Sequence, residues 1–156
     1  MTVPSTPQGY HTATPYLIVR DGAAAIDFYR RAFGATELTR MVGEDKVVHA
    51  EIRIGDSVVM LADEFPDLGF SSPETLGGSP VSILLYFENV DAQFAQALAA
   101  GARAVRPVQD QFYGDRSGTV IDPFGHTWTL ATHVEDVSPE EMERRLEESR
   151  RQQSGA

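Results

Sequence analysis

Tyr113–Thr132 reads YGDRSGTVIDPFGHTWTLAT, the pattern of strand, tight turn and strand. Gly118–Ile121 is short, β-branched and apolar. Asp122-Pro123-Phe124-Gly125 is turn chemistry: the aspartate bonds its own backbone, proline presets φ and glycine accepts φ > 0. Beyond the turn, Thr127, Thr129 and Ala131 alternate with Trp128, Leu130 and Thr132, the period of a strand with one buried face. Trp128 and Leu130 are therefore expected in the core. A smaller echo lies upstream: His49–Ile54, then Gly55-Asp56-Ser57, then Val58–Ala62. Two like hairpins in 156 residues suggest two copies of one unit.

The flanking residues fill in both copies. Thr14–Arg20 (TPYLIVR) predicts a strand, and Asp21 caps a helix from about Gly22 to Phe33. Ile26, Tyr29 and Phe33 recur on one face of that helix, and Gly34 is placed to stop it. Glu37–Val42 predicts the second strand, so the first module is β-α-β-β-β. Val81–Phe87 opens the next module, with Asn89 or Asp91 as cap of a helix that carries Phe94, Ala97 and Leu98 on one face and stops at Gly101. Ala104–Val108 precedes the quoted hairpin. Thr14 and Ser82 stand as far apart as Ile54 and Asp122, which makes the halves an internal repeat.

Phe65–Pro80 contains Pro66, Gly69, Pro73, Gly77, Gly78 and Pro80, which predict a linker or lid without regular elements. Ser138-Pro139-Glu140-Glu141 is a capping box opening a charged helix to about Arg150, with Met142 and Leu146 as its apolar pair. The expected fold class is α+β, with a flexible arm (1–11), a first module (12–64), a linker or lid (65–80), a second module (81–134) and a C-terminal helix and tail (135–156).

A formal charge of −10 argues against nucleic acid or an anionic membrane surface as partner. No apolar run is long enough to span a bilayer. The absence of cysteine excludes disulfides and thiolate chemistry and fits a cytoplasmic, reducing location.

The paired β-α-β-β-β order, with TPYLIVRDGAAAIDFYRRAFGA, HAEIRIGDSVVMLADE and YGDR…DPFGH.W.L, resembles the vicinal oxygen chelate superfamily, and within it the PhnB-like glyoxalase/bleomycin-resistance branch. That superfamily includes glyoxalase I, bleomycin-resistance proteins and extradiol dioxygenases. The resemblance spans roughly residues 12 to 134. It implies that the sheets curl into a cup with helices outside, and that modules pair within or across chains, here in a homodimer. In metal-dependent members the ligands stand on the first and last strand of each module. Carried over, those positions fall on Thr14, Ser82, Thr129 and Met60, the last becoming Val59 or Leu61 if the register slips. None is a His, Cys or carboxylate of the kind that holds a divalent ion, so no metal and no cofactor is expected there.

Alternation also assigns the cup face. Val48, Ala50, Ile52 and Ile54 take the helix side, leaving His49, Glu51 and Arg53 for the cup. Thr14, Tyr16, Ile18 and Arg20 join them from the first strand, and Ser82, Leu84, Tyr86, Glu88, Thr129, Ala131 and His133 from the second module. His49 and Glu51, ~7 Å apart along one strand face, form either a general base or a solvated ion-pair ladder with Arg53. Asp115-Arg116 either binds an anionic ligand or clamps a loop, and Tyr113 either stacks on a ligand or anchors its loop. His126 is expected at the surface. Two functions fit. One is metal-independent binding of a small, partly aromatic molecule between the modules, with Thr14, Tyr16, Met60, Leu84 and Tyr86 as walls. The other is a lyase or isomerase using His49 and Glu51, or a metal at His49, Glu51, Glu64 or Glu88.

Overall fold

The computed structural model describes residues 2–155. The first module runs β1 (Tyr16–Val19), α1 (Gly22–Phe33), β2 (Thr36–Gly43), β3 (Lys46–Ile54) and β4 (Ser57–Asp63). A single 3₁₀ turn (Pro66–Leu68) and the short α2 (Pro73–Leu76) follow. The second module repeats the order as β5 (Ser82–Tyr86), α3 (Val90–Ala100), β6 (Arg103–Asp110), β7 (Asp115–Ile121) and β8 (Thr127–His133), before α4 (Pro139–Ser154). Each module is a four-stranded mixed sheet, ordered β1-β4-β3-β2 and β5-β8-β7-β6. The first strand of each pairs parallel with the last, and the other pairs are antiparallel. This is the α+β two-module architecture that the sequence predicts.

The helices form where local chemistry directs. The Asp21 carboxylate accepts from the Ala24 amide at 3.0 Å and the Asn89 side chain from the Ala92 amide at 3.1 Å, so each helix start has a capped donor. Gly34, at φ 69°, turns its amide back to the last carbonyls of α1. The two helices lie against each other: the Gln93 and Gln96 amides donate to Ala32 O and Arg31 O, both at 2.7 Å. Phe33 and Tyr29 of α1 reach Trp128 of β8 at ring-centroid distances of 4.9 and 5.3 Å. The helix-side faces of both sheets thus share one core, in which Trp128, Leu130, Ile52 and Leu61 are fully buried. Full burial of such side chains stabilises by roughly 1.5–3 kcal/mol each, and here much of it depends on the two modules meeting.

Asp122, the first turn residue of the quoted stretch, is buried at this meeting point. Its Oδ1 accepts from the Phe124 and His126 amides, and its Oδ2 from the Tyr29 hydroxyl and the Trp128 indole. His126 is half-buried and its Nε2 lies 2.9 Å from Ile18 O, a second link between modules and not the surface position expected for it.

Three further expectations change. Val48 is 41% exposed and Val47, at 3%, takes the core position, because the β2–β3 pairing shifts register between Met41 and Val42 and resets the alternation. Leu98 is also exposed, at 37%, since the buried stripe of α3 runs through Val90 and Ala97. The 65–80 segment is not structureless. Pro66 and Pro73 begin helical turns, where a missing N–H costs nothing, and Gly69 and Gly77 end them at φ 86° and 89°. Its Ser72 is fully buried, and a Cβ at Gly125 would stand 2.8 Å from Pro73, so the segment packs on the quoted turn.

Candidate functional site

The face of sheet one turned away from α1 is set by register. Tyr16 is opposite Met60, Met60 opposite Glu51, and Glu51 opposite Thr39, one row across four strands. Val59 and Leu61 are buried on the other side, which settles Met60 as the last-strand position on the cup face. Thr14 is half-buried just before β1.

A polar chain crosses this face. Tyr10 donates its hydroxyl to Glu51 Oε1 at 2.7 Å. Glu51 Oε2 is 3.7 Å from His49 Nε2, and His49 Nδ1 is 2.8 Å from the Tyr16 hydroxyl. The Tyr16 and His49 rings lie 5.5 Å apart, tilted by 45°. The Tyr10 phenol is raised above its ordinary value, first by its hydrogen bond to Glu51, and the Tyr16 phenol is raised by burial and then by the Glu51 charge. Both stay protonated donors well past neutral pH. Glu51 is thus partnered by His49 and Tyr10, with Arg53 outside the chain. Tyr10 falls in a proline- and glycine-bearing stretch with no periodicity, so nothing in the pattern pointed to it.

Beside this chain the 65–80 segment frames two cavities. One, of about 480 Å³, is lined by Tyr16, Ile18, Val48, Ala62, Asp63, Phe65, Leu68 and Phe70. The other, of about 260 Å³, lies among Tyr16, Leu17 and Ile18 of the first module, Ser71, Pro73, Leu76, Gly78, Ser79 and Pro80 of the segment, and Val81, Ile83, His126 and Thr127 of the second module. Tyr16 and Ile18 belong to both. Glu64 holds the segment down: it accepts from the Ser72 amide at 2.7 Å and from Thr75 Oγ1 at 2.8 Å, and Arg20 is 3.5 Å away. The donors from Ser72 and Thr75 lower its carboxyl to about 2. Phe65, Leu68 and Phe70 were legible only as apolar residues inside a loop.

Sheet two brings a different set together. Leu84 is opposite Thr129 and Thr129 opposite Thr119, whose hydroxyls are 3.1 Å apart. The Tyr86 hydroxyl donates to Asp115 Oδ2 at 3.0 Å. His133 reaches Asp115 through Nδ1 and Asp136 through Nε2, each at 2.7 Å, and these two carboxylates raise its pKa. Ser82 is exposed opposite Thr127, and Tyr113 is partly exposed, edge-on to Phe112. Arg116 does not join this face. Strand alternation sends Asp115 to the cup side and Arg116 to the helix side, where it grips Asp91 at 2.8 Å and Asp110 at 3.2 Å. It clamps α3 to its sheet. None of the hydrogen bonds made by Tyr16, His49 or Glu51 crosses to the sheet-two set.

Comparison with known proteins agrees with this fold. A sequence model described as the Glyoxalase/Bleomycin resistance protein/Dioxygenase superfamily matches residues 10–130. The chain belongs to this superfamily. An uncharacterised protein of Mycobacterium tuberculosis is 48% identical over 134 residues, which cover 83% of this chain and 79% of that protein. Among solved structures, TioX from Micromonospora sp. ML1 is 26% identical with a TM-score of 0.63, covering 82% of this chain and all 100% of that one. A gene product of Arabidopsis thaliana is 30% identical with a TM-score of 0.64, covering 78% and 98%.

The superfamily's metal positions can be tested on the donors this member carries. Thr14, Met60, Ser82 and Thr129 offer hydroxyls and a thioether, with no imidazole or carboxylate, so they do not fit a divalent ion. Among the described residues no group of three or more His, Asp or Glu side chains is placed to hold one elsewhere. Glu64 is already bonded to its own loop, and Glu88 is exposed at the end of β5. No helix among the described residues is long and apolar enough to cross a membrane.

Proposed function

We propose that this superfamily member, of the PhnB-like branch, binds a small molecule with an aromatic or apolar body on the cup side of sheet one, without a metal at the superfamily positions. One observation carries the reading: the cavity of about 480 Å³, lined by Tyr16, Ile18, Val48, Phe65, Leu68 and Phe70 with Ala62 and Asp63. Apolar walls with few placed polar groups, in a volume of roughly 300–1,000 Å³, are what small-molecule sites require. Exposed Tyr16, Met41, Leu84 and Tyr86 on the cup faces support a homodimer that covers them. The charge of −10 supports neither nucleic acid nor an anionic membrane as partner, and the lack of cysteine supports a cytoplasmic location.

The test is saturation-transfer NMR with a set of neutral aromatic fragments, on wild type and Val48→Asp. Transfer to fragments in the wild type, abolished by the variant, is the expected result. Equal transfer in both would place binding elsewhere and refute the reading. Elemental analysis accompanies it: about one Ni, Zn, Mn or Fe per chain would overturn the metal-free part. A second reading, a lyase or isomerase of glyoxalase type, is favoured by the Tyr16–His49 hydrogen bond beside the Glu51 carboxylate, an arrangement suited to proton transfer.

A further inference from the structure

Tyr16 and Ile18 line both cavities, and Tyr16 carries a hydroxyl. The direction of its hydrogen bond decides what that atom offers. Glu51 accepts a proton donor from Tyr10 through Oε1, as a carboxylate does. Its other oxygen faces His49 Nε2 at 3.7 Å, which favours the proton on that nitrogen. Nδ1 is then the acceptor, and Tyr16 is the donor of the 2.8 Å bond. A phenol has one proton and further lone pairs on its oxygen. With the proton directed at His49, a Tyr16 lone pair is free to accept from a ligand. A ligand matched to this site has an apolar ring for the walls and an O–H donor for Tyr16.

Resting on the binding reading above, we infer that the site selects aromatic ligands carrying an acidic O–H, of the phenol or enol class, and passes that proton through Tyr16 to His49. The ligand O–H bond breaks as an O–H bond forms on Tyr16. The former Tyr16 O–H bond breaks as N–H forms at His49 Nδ1. The products are a phenolate or enolate ligand and an imidazolium, and no proton or electron is exchanged with solvent. Tyr16 then donates to the ligand anion, and the Glu51 carboxylate faces the new cation, so each charge formed meets an opposite partner. Asp63, the charged side chain that lines the larger cavity, has its carboxylate occupied by the Gly22 and Val47 amides and takes no part.

The test uses 4-nitrophenol, whose anion has its own visible absorption band, and its methyl ether 4-nitroanisole, which has no O–H. Both are titrated into the full-length protein in buffer below the phenol's own pKa. The expected result is that 4-nitrophenol binds at least tenfold more tightly than the ether, with growth of the phenolate band. Tyr16→Phe and His49→Ala should remove the band and bring the affinity ratio of the two probes below twofold. The wild-type comparison stands even where a variant fails to fold. Equal binding of both probes without the band would overturn the inference and leave the cavity reading intact. A band that persists in Tyr16→Phe would overturn it as well, and failure of both probes to bind would overturn both readings.

Discussion

Asp122→Ala should be the most damaging single change outside the hydrophobic core. The carboxylate accepts from the Tyr29 hydroxyl at 2.6 Å, the Trp128 indole at 2.8 Å, the Phe124 amide at 2.8 Å and the His126 amide at 3.0 Å. Tyr29 and Trp128 are fully buried, so their donors find no water once the carboxylate is gone. A stranded buried donor costs about 1–3 kcal/mol, and the two together, with a smaller share from the turn amides, give a loss of about 5 kcal/mol. That approaches the whole margin of roughly 5–15 kcal/mol for a domain. Asp122→Asn keeps the shape but must aim its NH₂ at N–H donors on either side, for a loss of about 2 kcal/mol. With a urea slope near 2 kcal/mol/M, the midpoints fall by about 2.5 M and 1 M. The chain's single tryptophan is Trp128 itself, so its fluorescence follows unfolding at the affected site. Midpoints of both variants within about 0.3 M of wild type, about 0.6 kcal/mol at that slope, would refute the idea that this carboxylate holds the modules together. There is an alkaline signature too. Burial and Asp122 hold the Tyr29 phenol well above its usual 10.0. Its contribution is complete below that value and is lost as pH rises through it, because the unfolded chain releases the proton first. Tyr29→Phe should flatten this alkaline loss.

Gly118→Ala would place a Cβ 2.8 Å from the Phe94 ring and 2.9 Å from Val108 Cγ2, an overpacking worth about 1–3 kcal/mol; an unchanged melting temperature would contradict the close approach of α3 to β7. Glu64, held at about 2 against its usual 4.5, anchors the 65–80 segment fully above the higher value and releases it as pH falls toward the lower. The protection factor of the Ser72 amide should fall across that interval in wild type and already be low at neutral pH in Glu64→Gln, and equal protection in the two proteins would count against this anchor. Light scattering at micromolar concentration should give a homodimer mass, reduced to a monomer by Leu84→Asp; a monomeric wild type would remove the proposed cover for the cup faces.

The module order was legible because its signals are local. Asp21, Asn89, Gly34 and Gly101 act within a turn of their helices, and the Asp-Pro-Phe-Gly turn forms from four adjacent residues. Trp128 and Leu130 followed from a two-residue period that holds from Thr127 to Leu130, before the buried Ala131 interrupts it. Legibility ended where a second element decides. Val48 lost its core place to a register shift that originates in the pairing with β2. His126 looked like a surface residue because its partner, Ile18 O, comes from the other module. The 65–80 segment looked structureless because six helix breakers were read as interruptions, when two of them begin turns and two end them.

The site shows the same division, and the repeat explains what it leaves open. Alternation placed His49 and Glu51 on the cup face, but a face does not name a partner. Their partners are Tyr16, two strands away, and Tyr10, from a segment without pattern. Comparing equivalent rows isolates what is specific to each half. Sheet one carries Tyr16, Met60, Glu51 and Thr39 where sheet two carries Leu84, Thr129, Thr119 and Arg106. The scaffold positions correspond, yet the phenol and carboxylate of the first row are an isobutyl group and a hydroxyl in the second. Fold constraints act on both rows alike and require neither set. A partly buried carboxylate bonded to a phenol from the N-terminal segment is not needed to close a strand pair, since sheet two closes the same pair with threonines at 3.1 Å. Sheet two has its own phenol–carboxylate pair, Tyr86 and Asp115, but not at the equivalent row, so the difference between the two rows is set by neither strand pairing nor the repeat.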